Sequence, residues 1–305
     1  MLADGSFAQP VKAIGSLVTK DMSPVEAFRS IALSCLVQLQ RNEAGAIFEK
    51  NPEYVHQARV AIRRLRSAFN LFSPVLAPAF VEDFSPRWRE LARGLGSARD
   101  WDVFLTETLA PLEEAFPDED DLVVLRAKGE ASKDEAQISV GTTLTQKAYS
   151  QLLLTFSAAL FSVKRATIDD SKKLSGLSLR KFARRRLQKR AAMVDGLVSE
   201  HGKMNAEHRH ELRIAFKKLR YALDFFTPIL PPKRLTVYQN SLTTIQDLLG
   251  TLNDQTTASR LIGKLHPKGE PESLIRGWIA GRTQLLIKAL SSELSRFVAI
   301  RNPWH

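Results

Sequence analysis

The sequence predicts an all-α, internally duplicated protein, and three observations carry that prediction. Apolar residues recur with helical period along nearly all of the 305-residue chain. No run of alternating β-branched residues bounded by turns is present. Residues 56–76, HQARVAIRRLRSAFNLFSPVL, return 154 positions later as residues 210–230, HELRIAFKKLRYALDFFTPIL, with nine of 21 positions identical and no gap. The identical pairs include His56/His210, Arg59/Arg213, Leu65/Leu219, Arg66/Arg220, Phe72/Phe226 and Pro74/Pro228. The register continues further, since Leu91, Leu95, Gly96 and Asp100 match Ile245, Leu249, Gly250 and Asp254 at the same offset.

The elements follow in order. Residues 1–21 are weakly patterned and read as an N-terminal arm. Ser23-Pro24-Val25-Glu26 reads as a capping box with proline at the first helical position. Phe28, Ile31, Ala32, Cys35, Leu36 and Leu39 then hold one apolar stripe. Asn51-Pro52 opens the helix that carries the first repeat, and Ser73-Pro74 closes it. A third helix is expected from about Phe80 to Leu95, with a break or restart at Ser85-Pro86, and a fourth from Asp100 to Phe116. Residues 100–121 hold nine acids and no Lys or Arg, which reads as a solvated acidic face. Helical pattern continues to Ser162, and the polar stretch Asp169–Ser175 reads as a joint between halves, 22–168 and 169–305. The second half is expected to form helices at 177–199, 206–227, 232–249, 254–265 and 271–298. After each Leu-Gly pair, Asp100 and Asp254 read as caps of the next helix, with ion pairing to the arginines as the alternative role.

Composition narrows the function. A net charge of +11 and a pI near 9.8 favour an anionic partner: nucleic acid, an acidic membrane surface or phosphate chains. Cys35 is the single cysteine, so an internal disulfide and a cysteine metal cluster are excluded, and its apolar helical face marks a buried thiol. The N-terminus has no continuous apolar segment of the signal-peptide kind, and Leu152–Val163 is too short to span a bilayer. The expectation is a cytoplasmic protein with no membrane partner.

The repeated helix has two faces. At 100° per residue, His56, Arg59, Arg63 and Arg66 fall within about 80° of arc, with Ala61, Leu65, Ala68 and Phe72 opposite. His210, Arg213, Lys217 and Arg220 form the same stripe in the second copy; Arg64 and Lys218 sit on its flank and Tyr221 joins it. No acid at i±4 neutralises the first stripe, and its cations repel one another by a few tenths of a kcal/mol per pair. Arginine's planar fork suits bidentate oxyanion binding, so the stripes read as an anion site rather than as solvated surface. A further basic run, Arg180 to Arg190, precedes the second copy, with Arg180 and Arg184 as candidate additional contacts. Arg29 is the corresponding candidate in the first half.

The two HxxRxxx-R/K-R/K-L-R segments, on amphipathic helices in a duplicated chain and accompanied by Leu-Gly-x3-Asp, closely resemble the CHAD family, over roughly residues 23–300. The resemblance implies two pseudo-symmetric antiparallel helical bundles packed around a shared basic cleft or pore that binds inorganic polyphosphate without catalysis, in some members on polyphosphate granules. Its ligand contacts would be His56, Arg59, Arg63, Arg64 and Arg66, with His210, Arg213, Lys217, Lys218 and Arg220. Family members fused to a CYTH triphosphatase carry a Glu-x-Glu-x-Lys signature; none is present here, and triphosphatase activity is not implied.

Competing readings carry less. A hydrolase would need partners for its histidines, yet no Ser-His-acid set, Walker loop or paired carboxylates accompanies them. His208 and His210 point about 160° apart on a helix, so they would not share a metal, and no metal or cofactor is expected. A nucleic-acid binder fits the charge, but aromatic interleaving is sparse, Tyr221 being the main exception. Protonation of the histidines predicts polyphosphate binding that tightens as pH falls through about 6.5. The most direct geometric question is whether His56 and His210 face one another across a shared cleft.

Overall fold

The computed structural model describes residues 9–162, 177–200, 204–265 and 270–304. Among them the chain is all-helical, with no β-strand. In chain order the helices are α1 (Pro24–Phe48), α2 (Pro52–Phe72), α3 (Pro78–Gly94), α4 (Gly96–Val103), α5 (Ala110–Ala115), α6 (Asp120–Thr145), α7 (Lys147–Ser162), α8 (Leu179–Ser199), α9 (Ala206–Phe226), α10 (Pro232–Leu265) and α11 (Glu270–Val298). No described helix is long and apolar enough to cross a membrane. The joint at 169–175, the boundary between the expected halves and His201 lie outside the described residues.

Local signals set most boundaries. Ser23 Oγ accepts from Glu26 N at 3.3 Å while Ser23 N donates to Glu26 Oε2 at 2.7 Å, closing the expected capping box. Asn51 caps α2 by accepting from Glu53 N, and Asn205 caps α9 by accepting from His208 N. α2 and α9 begin and end at positions 154 apart, each followed by a short 3-10 turn, Ser73–Val75 and Thr227–Ile229. α3 and α10 start at the same offset.

Three expectations are corrected. α3 runs unbroken through Pro86. The missing N–H of Pro86 leaves the carbonyl of exposed Glu82 to water, so the proline costs little there. α10 likewise runs unbroken through Gly250, where two helices were expected; a glycine costs about 1 kcal/mol in a helix, and burial of Leu242, Ile245, Leu249 and Leu252 along the same face outweighs it. Asp100 and Asp254 therefore lie inside helices and cap neither. Only the first half turns at the Leu-Gly pair, between α3 and α4, where a Cβ on Gly96 would sit 3.2 Å from Arg59 Nη1.

A π-helical segment, Phe104–Leu109, joins α4 to α5, with Ala110 N donating to Leu105 O. Pro111 explains it: proline cannot donate to the Glu107 carbonyl, and the widened turn relieves the clash of its ring. The freed Glu107 carbonyl accepts instead from Arg282 Nη1 of α11 at 2.9 Å, tying this segment to the last helix.

An aromatic cluster dominates the core. Phe28, Phe69, Phe80, Phe84 and Trp88 gather around Phe156 or one another at ring separations of 5.1–5.9 Å. Phe72 extends it into the second half, 5.3 Å from Phe182 and 5.8 Å from Phe226, its own counterpart in the repeat. Cys35 is buried, as expected, and burial pushes its thiol up to about 11. The described part of the arm, residues 9–21, has no helix but is not loose. Asn42 grips Val11 through two 2.9 Å hydrogen bonds, and Val18 is buried.

Candidate functional site

α2 and α9 meet at Phe72 and Phe226 and through the hydrogen bond from Arg63 to Tyr221, and the cationic stripes between them line two cavities. The first, about 320 Å³, is walled by α2, α9, α4 and α10, and holds His56, Arg59, Arg63, Arg99, Arg213, Lys217 and Arg220. The second, about 700 Å³, is walled by α2, α3 and α9, and holds Arg63, Arg66, Arg89, His210, Arg213, Lys217, Lys218 and Tyr221. Arg63, Arg213 and Lys217 border both. His56 therefore lines one cavity and His210 the other, and the two histidines do not face each other.

The two chambers differ in charge. No carboxylate lines the second. The first contains Asp100, Asp247 and Asp254 among its cations, with Gln246, Asn253 and Thr257. Asp100 pairs with Arg260 of α10 at 3.1 Å, an arginine outside both stripes. Arg99, on α4, is held by the buried carboxylate of Asp102, which also accepts from Lys133 Nζ at 3.0 Å. Burial raises the Asp254 carboxyl above the ordinary range, although Arg213 and Arg99 oppose the shift.

The cations are crowded and short of partners. Arg59 Nε and Nη1 and Arg220 Nε are buried with no hydrogen-bond partner. A buried unpaired charge of this kind is costly unless a ligand supplies the missing acceptors. Burial, with Arg63 and Arg99 against Asp100, brings Arg59 down to about 10. Burial likewise lowers Arg213, with Asp254 opposing, and Arg66, with Arg89 and Arg93 adding repulsion. Lys217 is the extreme case. Burial, then repulsion from Arg213, Arg63, Arg220 and Arg59, brings its ammonium down to about 7. His56 is lowered below the usual imidazole range, first by burial and then by Arg99.

Other predicted contacts lie elsewhere. Arg64 is buried, donating to Gln38 Oε1 at 3.2 Å and to Ile14 O at 3.3 Å, with its guanidinium 6.0 Å from the Phe225 ring; it holds the arm onto the core. Arg29 donates to Leu160 O at 2.7 Å, far from both cavities in the chain's packing of α1 on α7. Arg180 and Arg184 are exposed on α8 and line neither cavity. From the same basic run it is Arg186 and Arg190 that reach the site, both bonding Asn70 at the rim of the second cavity. Tyr221 does join the stripe, its hydroxyl accepting from Arg63 Nε at 3.2 Å while its ring lies 5.4 Å from the Arg220 guanidinium. His208 is buried on the apolar side of α9, away from His210.

The sequence reading missed Arg89 and Arg99, which no helical projection of α2 or α9 could show. Their counterparts at the repeat offset, Thr243 and Asn253, are uncharged, so the repeat itself gave no signal. No group of three or more His, Cys, Asp or Glu among the described residues is placed to hold a metal ion. The chemistry on offer is multivalent oxyanion binding.

Comparisons with known proteins agree in family and fold. The crystal structure of the CHAD domain from the plant Ricinus communis superposes with a TM-score of 0.81 at 30% sequence identity, covering 96% of this chain and 98% of that one. PptA from Streptomyces chartreusis shares the fold at a TM-score of 0.67 and 12% identity, covering 91% of this chain and 99% of that one. Comparison with curated proteins finds no match. The CHAD domain sequence profile matches residues 30–263, the span that includes both His-Arg helices and the walls of both cavities. On that match, and on its likeness to the plant domain, the chain belongs to the CHAD domain family.

Proposed function

We propose that this protein binds inorganic polyphosphate, without turning it over, in the two joined cavities between α2 and α9. The observation that carries the reading is the run of Arg63, Arg213 and Lys217 shared by both chambers, flanked by guanidinium nitrogens that have no partner. A string of oxyanions would satisfy several at once, each charge-assisted bond contributing roughly 1.5–3 kcal/mol before ordering costs. The CHAD family's association with polyphosphate-related proteins supports the same ligand. The equal offsets of α2/α9 and of the elements that follow support a duplicated unit, with halves at 22–168 and 169–305 sharing one cleft. Its place of action is the cytoplasm, including polyphosphate granules.

Nucleic acid fits the cavities less well. Their aromatic residues, Phe69, Phe104 and Tyr221, are buried and offer no face on which a base could stack. The test is competition among long-chain polyphosphate, tripolyphosphate, single-stranded DNA and heparin at matched salt. Preferential displacement by the two polyphosphates is expected. Equal displacement by all four would reduce the protein to a general polyanion binder and overturn the reading.

A further inference from the structure

We propose that Lys217 is a reactive amine that small acyl phosphates acylate, and that this modification lowers the cleft's affinity for polyanions. The inference rests on the cleft being an anion site, as proposed above, but not on polyphosphate being its occupant.

The geometry supplies both requirements of the reaction. Lys217 makes no ion pair or hydrogen bond among the described residues, unlike Lys133, which is clamped by Asp102. Four arginines surround it, and burial among them leaves the amine largely neutral slightly above neutral pH. A lysine beside other cations in a partly desolvated pocket is the usual arrangement for an amine nucleophile at neutral pH. The same arginines would hold the phosphate of an acyl phosphate, placing its carbonyl beside Nζ, and the amine is reached from either cavity.

The step balances without a further reactant. The Lys217 Nζ lone pair attacks the acyl carbon and forms the C–N bond. The C–O bond to phosphorus breaks with its electrons on oxygen, and the amine proton passes to the departing phosphate. The products are an amide at Lys217 and inorganic phosphate, whose charge the arginines stabilise as it leaves. An amide cannot regain a proton, so one of the three cations that border both chambers loses its charge for good.

Rate arithmetic gives a measurable preference. At about pH 7.5 the neutral fraction of Lys217 exceeds that of an ordinary lysine by several hundredfold. Lower basicity cuts intrinsic nucleophilicity by roughly 25- to 55-fold if amines follow the thiol Brønsted slope, leaving about 10- to 30-fold. Full-length protein is incubated with acetyl phosphate, and acetylation of each lysine is followed by peptide mass spectrometry. The exposed Lys181 and Lys189 of α8 are internal standards, and Lys218, lining the second cavity only, is a neighbouring one.

The expected result is acetylation of Lys217 at least about tenfold faster than of Lys181 or Lys189, suppressed by tripolyphosphate at that site alone. Arg213→Gln with Arg220→Gln, shown to be folded by circular dichroism, is expected to shrink the preference, because two of the charges that repel the ammonium and two anchors for the phosphate are lost. Labelling of Lys217 no faster than the surface lysines overturns the proposal, even if tripolyphosphate binds tightly. Fast labelling of Lys217 with no protection by tripolyphosphate upholds the reactive amine and instead sinks the polyphosphate reading. Acetylated protein that binds tripolyphosphate as well as unmodified protein overturns the regulatory half.

Discussion

Polyphosphate affinity should fall about tenfold between pH 6 and pH 8, and Lys217 should account for the change. In the empty cleft this lysine titrates near 7 because burial and Arg213, Arg63, Arg220 and Arg59 oppose its charge. A bound polyanion reverses that balance and restores a pKa near the ordinary value of about 10.4, so binding takes up a proton wherever the empty site lacks one. The affinity is then divided by a factor of 1 + 10^(pH − 7), about 1.1 at pH 6 and about 11 at pH 8. At pH 7 about half a proton should be taken up per site, readable by calorimetry in buffers of differing ionisation enthalpy. The other titratable and charged groups lining the two cavities with the amine are His56 and Arg66 of α2, Arg89 of α3, Arg99 and Asp100 of α4, His210 and Lys218 of α9, and Asp247 and Asp254 of α10. Terminal phosphate groups also titrate near this window, so Lys217→Arg, which stays charged throughout, is the reference. Equal pH slopes for the wild type and Lys217→Arg would refute the reasoning. A slope centred below about 6.5 that survives in Lys217→Arg would return the role to the histidines, against the lowering of His56 by burial and Arg99.

Four other outcomes follow from the same geometry. Lys217→Met should stabilise the ligand-free protein at pH 6: the native pKa lies below the unfolded one, so the charged form burdens the fold most below about 7 and the gain fades towards pH 10, as chemical denaturation would show. Arg59→Gln with Arg213→Gln should weaken polyphosphate binding by roughly 10²- to 10⁴-fold while circular dichroism stays helical. Arg64→Gln should do the opposite, lowering stability by about 1–3 kcal/mol through loss of the Gln38 and Ile14 contacts, with affinity changed less than about threefold. Phe156→Ala should cost about 3–5 kcal/mol, because Phe69, Phe80, Phe84 and Trp88 lose contact with a ring that is fully buried, and thermal melting would register it.

What the sequence made legible was local. Capping at Ser23 and Asn51 and the boundaries of α2 and α9 depend on residues a few positions apart, and the repeat showed each twice. Helical projection also separated the buried face from the cationic one, which is why Arg59, Arg63, Arg66, Arg213, Lys217 and Arg220 all reach a cavity. Projection cannot show what lies over a side chain. Arg64 and Lys218 hold equivalent positions on the flank of the stripe, yet Arg64 is closed over by the arm through Ile14 while Lys218 lines the larger chamber. The basic run of α8 divides in the same way, Arg186 and Arg190 turning to Asn70 while Arg180 and Arg184 stay in solvent, a choice made by packing against α2.

The asymmetry of the two chambers is the part a repeat-based reading hides, and it bears on how a polyanion would sit. At the repeat offset Arg93 has Asp247 as its counterpart, Arg99 has Asn253, and Arg89 has Thr243. Three cations on α3 and α4 thus correspond to two uncharged residues and an acid on α10. One copy's walls strengthen an anion site while the other's offset it, so the chambers share their central Arg63, Arg213 and Lys217 but not their depth of potential. The acid-free chamber, with Arg66, Arg89 and Lys218 and with Arg186 and Arg190 at its rim, is where a phosphate chain would gain most. In the other, Asp100, Asp247 and Asp254 limit how many further phosphates can follow. The repeated segments bring two cationic stripes to Arg63, Arg213 and Lys217, and the difference between the walls around them makes one chamber more cationic than the other.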